Sequence, residues 1–253
     1  MIYIAFLFFT FLILIFAAYH WQHIIVFSPT HFREGEIGSC CEILSITTED
    51  GVELEGVAYE PSQVKNTILF FGGREHDSVG LIDRLSCKFK DTRIITFNYR
   101  SYGRSQGTIS EKNMLGDALK IAEIIQKNYG DFYILGFSMG ASVAAFTASK
   151  HKSLGVFLTG AFDSTTSLAR ARYGVMVSWI VRYKFDNIKF VQNIEAPVYM
   201  FSSQSDEVVY IKNARILKNS IKNLALYKEF DSLSHKELLW SDEVIDEING
   251  VIS

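Results

Sequence analysis

The chain has 253 residues, 48% of them hydrophobic, a net charge of −3 and only three prolines. Both signs of charge are dispersed, so no basic stripe points to nucleic acid, and no low-complexity tract or Pro-rich linker interrupts the chain. Three cysteines (Cys40, Cys41 and Cys87) are not a disulfide framework, because adjacent cysteines rarely pair and the count is odd, so reduced thiols are the plain expectation.

The first nineteen residues, MIYIAFLFFTFLILIFAAY, contain no charged side chain. That is close to the ~20 apolar residues a helix needs to cross a bilayer core. A cleaved signal peptide would carry a basic start, and a buried helix would not be apolar on every face. Residues 1–19 are therefore expected to be an uncleaved, single-pass membrane anchor, with Tyr19 and Trp21 at the membrane–water interface. His20 and His23 are read as polar flanking residues. Residues 20–42 are expected to be a juxtamembrane linker. The first basic side chain is Arg33, on the C-terminal flank, so the remaining domain is expected on the cytoplasmic side.

Residues 43–253 are expected to be one domain of mostly parallel, doubly wound α/β architecture. EILSITTEDGVELEGVAYEP alternates apolar and polar residues about Asp50-Gly51, a hairpin pattern. NTILFFGG is a continuous apolar run ending in glycines, which suits a strand buried on both faces. Helix is expected around 78–89, followed by the strand RIITFNYR. Ser110 can cap a helix reaching about Asn128, with Met114, Leu115, Ala118, Ile121, Ala122 and Ile125 on one face. DFYILGFS, LGVFLTGA, APVYMFSS and LALYKEF complete the strands. MGASVAAFTASK, VVYIKNARILKNS and SDEVIDEINGVI complete the helices. Residues 163–195 break this rhythm and read as a small cap insertion.

Gly136-Phe137-Ser138-Met139-Gly140 matches the G-x-S-x-G elbow, and it lies between a strand pattern and a helix pattern. A serine there can stand exposed above the sheet, provided a base activates it and an acid orients the base. Only His151 and His235 follow Ser138 in the chain. His151 sits at a polar helix end, whereas His235 lies in a loop after the last strand, so His235 is the expected base. Asp206, in the loop after APVYMF, leads as the acid, with Glu207, Asp186 and Asp231 as rivals. An oxyanion would take the backbone N–H of Met139 and a second N–H from FFGGREHD, at Gly73 or Arg74. No Gly-Lys-Ser/Thr follows that loop, so it does not read as a phosphate cradle. No His or Cys spacing suits a metal.

These residues together resemble the α/β-hydrolase superfamily, and within it the small-cap, membrane-anchored serine hydrolases of lysophospholipase-like and depalmitoylase-like type. The resemblance runs from Ile43 to Ile252. FNYRSYGRSQG is similar to that family's N-Y-R-G-Y-G-x-S-x-G segment, and SDEVV to its acid loop. It implies an α/β-hydrolase fold and a catalytic set of Ser138, Asp206 and His235, with Gly73 and Met139 as oxyanion donors. It implies no cofactor and no metal. It also implies hydrolysis of carboxylic esters or thioesters on amphiphilic, membrane-proximal substrates through an acyl-enzyme. Membrane lipid is the expected surroundings, nucleic acid is not a partner, and the residues carry no signal of oligomeric state. Phe71-Gly72-Gly73 stands where the family has histidine before its glycine. That departure favours a rival reading, a catalytically degenerate hydrolase serving as a membrane-tethered binding or scaffold protein. The cap segment LARARYGVMVSWIVRYKF mixes arginines with aliphatics and a tryptophan. It suits anionic head groups, an acyl pocket or, as the preferred reading, packing of its apolar side on the domain.

Overall fold

A computed structural model describes residues 2–31, 37–38 and 40–253; Arg33, used above for orientation, lies outside the described residues. The chain opens with α1 (Ile2–Phe27), followed by the antiparallel pair β1 (Cys41–Thr47) and β2 (Glu53–Tyr59). Then come β3 (Asn66–Phe71), α2 (Ile82–Ser86), β4 (Thr92–Phe97), α3 (Glu111–Tyr129), β5 (Tyr133–Phe137), α4 (Met139–Ala148) and β6 (Val156–Thr159). Residues 163–195, expected to be the cap, hold α5 (Thr165–Tyr173), α6 (Val175–Trp179) and α7 (Asn187–Val191). The chain closes with β7 (Val198–Ser203), α8 (Ile211–Lys218), β8 (Leu224–Phe230), α9 (Glu237–Trp240) and α10 (Asp242–Ile252).

The strands form one eight-stranded sheet in the order β1-β2-β4-β3-β5-β6-β7-β8, parallel from β4 through β8 and antiparallel at β1, β2 and the β2–β4 junction. The central strands β3, β5 and β6 are apolar and almost wholly buried because helices cover both faces. On one face α3 buries its stripe of Met114, Leu115, Ala118, Ile121, Ala122 and Ile125, and α4 packs beside it. On the other, Val244, Ile245, Ile248 and Ile252 of α10 join Ile68 and Phe70 of β3. Ser110 Oγ accepts the Asn113 N–H at 3.1 Å and starts α3 where expected, a cap contributing about 1 kcal/mol.

Three expectations change. The helix read over 78–89 is confined to Ile82–Ser86, because side chains hold the preceding backbone: Asn98 Oδ1 accepts from Val79 N–H and Asp77 Oδ1 from Gly80 N–H. Residues 20–27, read as the start of a linker, are helical and continue α1. The end of α1 is seated on the domain. Phe27 is fully buried against Tyr183 and Phe185, and Gln22 bonds the Ile180 carbonyl through Nε2 (2.6 Å) and the Arg182 N–H through Oε1 (2.8 Å). Finally, the cap segment packs on the domain only in part: Leu168, Tyr183 and Phe185 lie against the core, whereas Tyr173, Val175, Met176, Val177 and Trp179 are exposed. The α1 window Phe9–Phe27 is long and apolar enough to cross a membrane.

Candidate functional site

The loops at the C-terminal ends of β3, β5, β7 and β8 converge on Ser138. This residue alone separates β5 from α4, at φ 55° and ψ −117°, a conformation that costs a non-glycine residue energy. Its N–H donates to the Thr159 carbonyl (2.9 Å), and its own carbonyl accepts from Ala141 (2.9 Å). The corner is tight enough to dictate its neighbours. A Cβ at Gly136 would lie 2.4 Å from the Gly140 carbonyl oxygen, and a Cβ at Gly140 only 2.0 Å from that of Phe71. Glycine therefore stands on both sides of Ser138 because strand, helix and the β3 loop meet there without room for a methyl group.

His235, between β8 and α9, is buried and reaches the half-buried serine, with Nε2 2.8 Å from Ser138 Oγ. Its Nδ1 lies 2.7 Å from Asp206 Oδ2. Asp206, buried in the loop after β7, anchors its other oxygen on backbone: Oδ1 accepts from Val208 N–H (2.8 Å) and Val209 N–H (2.7 Å). The rival carboxylates are engaged elsewhere. Glu207 accepts the backbone N–H of His235 (3.1 Å), and its own N–H together with that of His235 holds its carboxyl below the usual range. Asp231 accepts from Gln204 Nε2, and Asp186 pairs with Lys189. His151 turns to the Lys152 carbonyl and stacks on Phe132.

The loop after β3 holds the residue that sequence reasoning missed. His76 Nδ1 accepts the Gly73 N–H at 3.1 Å, so the amide expected to face an oxyanion is occupied in this structure. The ring lies parallel to Phe137 (5.4 Å, 10°), and the Phe137 ring in turn meets that of His235 at 4.9 Å. Burial, with a smaller contribution from nearby His235, lowers the His76 pKa to about 4, which keeps Nδ1 an acceptor. The one signal for it was spacing: a histidine three residues after a glycine can fold its ring back on that glycine's amide. Two tyrosines of the FNYRSYG segment hold the same loop by its carbonyls, Tyr99 Oη donating to Gly72 (2.9 Å) and Tyr102 Oη to Arg74 (2.7 Å). The Met139 N–H belongs to the first turn of α4, where helical acceptors are lacking, and none of the described residues accepts from it.

This set is suited to nucleophilic attack by a hydroxyl whose proton passes to an imidazole held by a carboxylate. An open cleft of about 360 Å³ reaches Asp206 between Ala171 of α5 and Tyr210. Among the described residues, no group of three His, Cys, Asp or Glu is arranged to hold a metal ion.

No family model matches the chain. It is 24% identical over 212 residues to a putative alpha/beta hydrolase, L404, of Acanthamoeba polyphaga mimivirus, a match covering 78% of each protein. It is 27% identical over 158 residues to the lysophosphatidylserine lipase ABHD12 of Macaca fascicularis, covering 54% of this chain and 40% of the lipase. Among solved structures, the Pyrococcus furiosus esterase Pf2001 superposes with a TM-score of 0.66 at 17% identity, covering 87% of this chain and 97% of the esterase, which shows a common fold.

Proposed function

Because this chain belongs to the α/β-hydrolase superfamily, we propose that it is a serine hydrolase cleaving carboxylic esters or thioesters of amphiphilic, membrane-proximal substrates. One observation carries the reading: the unbroken chain Ser138 Oγ, His235 Nε2, His235 Nδ1, Asp206 Oδ2, with links of 2.8 and 2.7 Å. Ser138 Oγ attacks the acyl carbonyl and passes its proton to His235 Nε2. Asp206 keeps Nδ1 protonated and stabilises the imidazolium. The carbonyl oxygen, now negative, takes the Met139 N–H and a donor from the Gly73–Arg74 loop; Gly73 serves once its N–H leaves His76. His235 returns the proton to the leaving alcohol or thiol. Water, deprotonated by His235, then attacks the acyl-enzyme, releases the acid and restores Ser138. No cofactor enters these steps.

The lipase and hydrolase names of the relatives support the reaction class, and the apolar length of α1 supports a single-pass anchor. On this reading residues 43–253 form the hydrolase domain, 163–195 its cap, and the domain faces the cytoplasm.

A second reading, a non-catalytic membrane-tethered binding protein, draws on the Gly73 amide being bonded to His76. A fluorophosphonate probe separates the two. Labelling of the wild type but not of Ser138→Ala is expected. No labelling of either protein, both folded by thermal melting, overturns the hydrolase reading.

A further inference from the structure

The seated end of α1 fixes where a bilayer meets the molecule. α1 has 26 residues, but from Gln22 onward it belongs to the domain. Gln22 is bonded to the cap at Ile180 and Arg182, the Ile25 carbonyl accepts from Arg74 Nη1 (2.7 Å), and the Phe27 carbonyl accepts from Tyr102 Oη. The stretch ahead of Gln22 is then about 20 residues, or ~30 Å of helix, which matches the hydrocarbon thickness of a bilayer. With α1 spanning the bilayer, the boundary between hydrocarbon and water would fall at Tyr19–Gln22, level with the cap residues bonded to Gln22.

What the cap presents there is apolar. α6 ends one residue before Ile180, and it leaves Met176 73% and Trp179 79% exposed, with Tyr173 and Val175 exposed beside them. Ile24 and Ile25 on α1 are exposed as well. The rim is basic. Arg170, Arg172 and Arg182 are exposed, and Arg182 lies over both Tyr19 of α1 and Tyr183 of the cap. An apolar centre with a cationic rim, level with the end of a membrane-length helix, fits the interfacial zone of a phospholipid bilayer.

We propose that α6 is a second membrane contact, its Val175, Met176 and Trp179 inserted among the acyl chains just below the head groups while the arginines meet the phosphates. This rests on α1 spanning the membrane. It holds the cap, and with it the α5 side of the cleft to Asp206, against the surface from which an amphiphilic substrate arrives.

The test uses the full chain, one copy per nanodisc, with Trp21→Phe and Trp240→Phe leaving Trp179 as the sole indole. Lipids brominated high on the acyl chain are expected to quench its emission and shift it to the blue. Unquenched emission overturns the proposal, whether α6 then faces water or protein. Met176→Asp with Trp179→Asp gives a second readout. Turnover of a long-chain ester embedded in the disc is expected to fall about tenfold or more, with a water-soluble short ester unaffected. Equal rates on the embedded ester overturn the proposal. Absence of turnover of either ester by the wild type would instead count against the hydrolase reading, and the quenching result does not depend on turnover.

Discussion

Asp206 uses its two oxygens differently, and Asp206→Asn exploits the difference. Oδ1 accepts two backbone N–H groups, at 2.8 and 2.7 Å, while Oδ2 faces the His235 ring at 2.7 Å. An asparagine must choose. With its oxygen at the Oδ1 position both backbone bonds survive. With its NH2 there, two bonds at about 0.5–1.5 kcal/mol each are lost and donors face donors. The amide nitrogen therefore turns to His235 Nδ1, which must accept, and the ring proton moves to Nε2, 2.8 Å from Ser138 Oγ. In that tautomer the imidazole cannot take the serine proton. Tautomer exchange of this kind costs about 10⁴-fold in kcat in a comparable triad, or about 5 kcal/mol. Any fraction of the amide turned the other way stays competent, so the expected loss is about 10²- to 10⁴-fold. The assay is kcat on a p-nitrophenyl ester over roughly pH 6 to 9, with melting as a control, because the substitution preserves shape and both backbone bonds. A kcat within about tenfold of wild type would refute the reasoning.

Gly140→Ala places a methyl group roughly 1.4 Å short of ordinary contact with the Phe71 carbonyl. It is expected to cost about 1–3 kcal/mol of stability and, by shifting the elbow against the β3 loop, about 100-fold in kcat. Gly116→Ala, with nothing within 4 Å in the exposed middle of α3, should instead raise stability by about 0.5–1 kcal/mol; denaturant melts that move both variants the same way would count against the packing described. His76 supplies a pH prediction. The unfolded chain takes up this proton near pH 6.5 and the folded chain only near 4, so stability is level above that window and falls as pH drops through it. The fall attributable to His76 is up to about 3 kcal/mol, and it should appear as the difference between wild type and His76→Gln; parallel stability curves would exclude it.

Much of the candidate site's arrangement was legible in the sequence, and the reason is local. The elbow announces itself because sterics force glycine two residues either side of Ser138, directly after an apolar strand. His235 followed from chain order, since His151 closes a helix. The choice between Asp206 and Glu207 was different. They are adjacent and chemically alike, and only the loop sends one carboxylate to the ring and the other to the His235 backbone. His76 has no periodic pattern around it, and its place is set by Phe137 stacking from another strand. The short α2 likewise answers to Asn98 and Asp77, whose side chains hold the N–H groups of Val79 and Gly80 just ahead of it. The end of α1 escaped notice because composition changes at Tyr19, while the helix continues until Ser28 reaches φ 47°.

The seating of Phe27 bears on how this protein is handled. Clipping the first 27 residues to gain solubility would remove a fully buried ring, a loss of about 3–5 kcal/mol by analogy with Phe→Ala changes. The same cut would strip Arg74 Nη1 of its acceptor, the Ile25 carbonyl, and remove one of the two carbonyls that face Tyr102 Oη. A sluggish trimmed preparation would report the damage of the cut rather than the competence of the serine. A cut just ahead of Gln22 spares every one of those contacts.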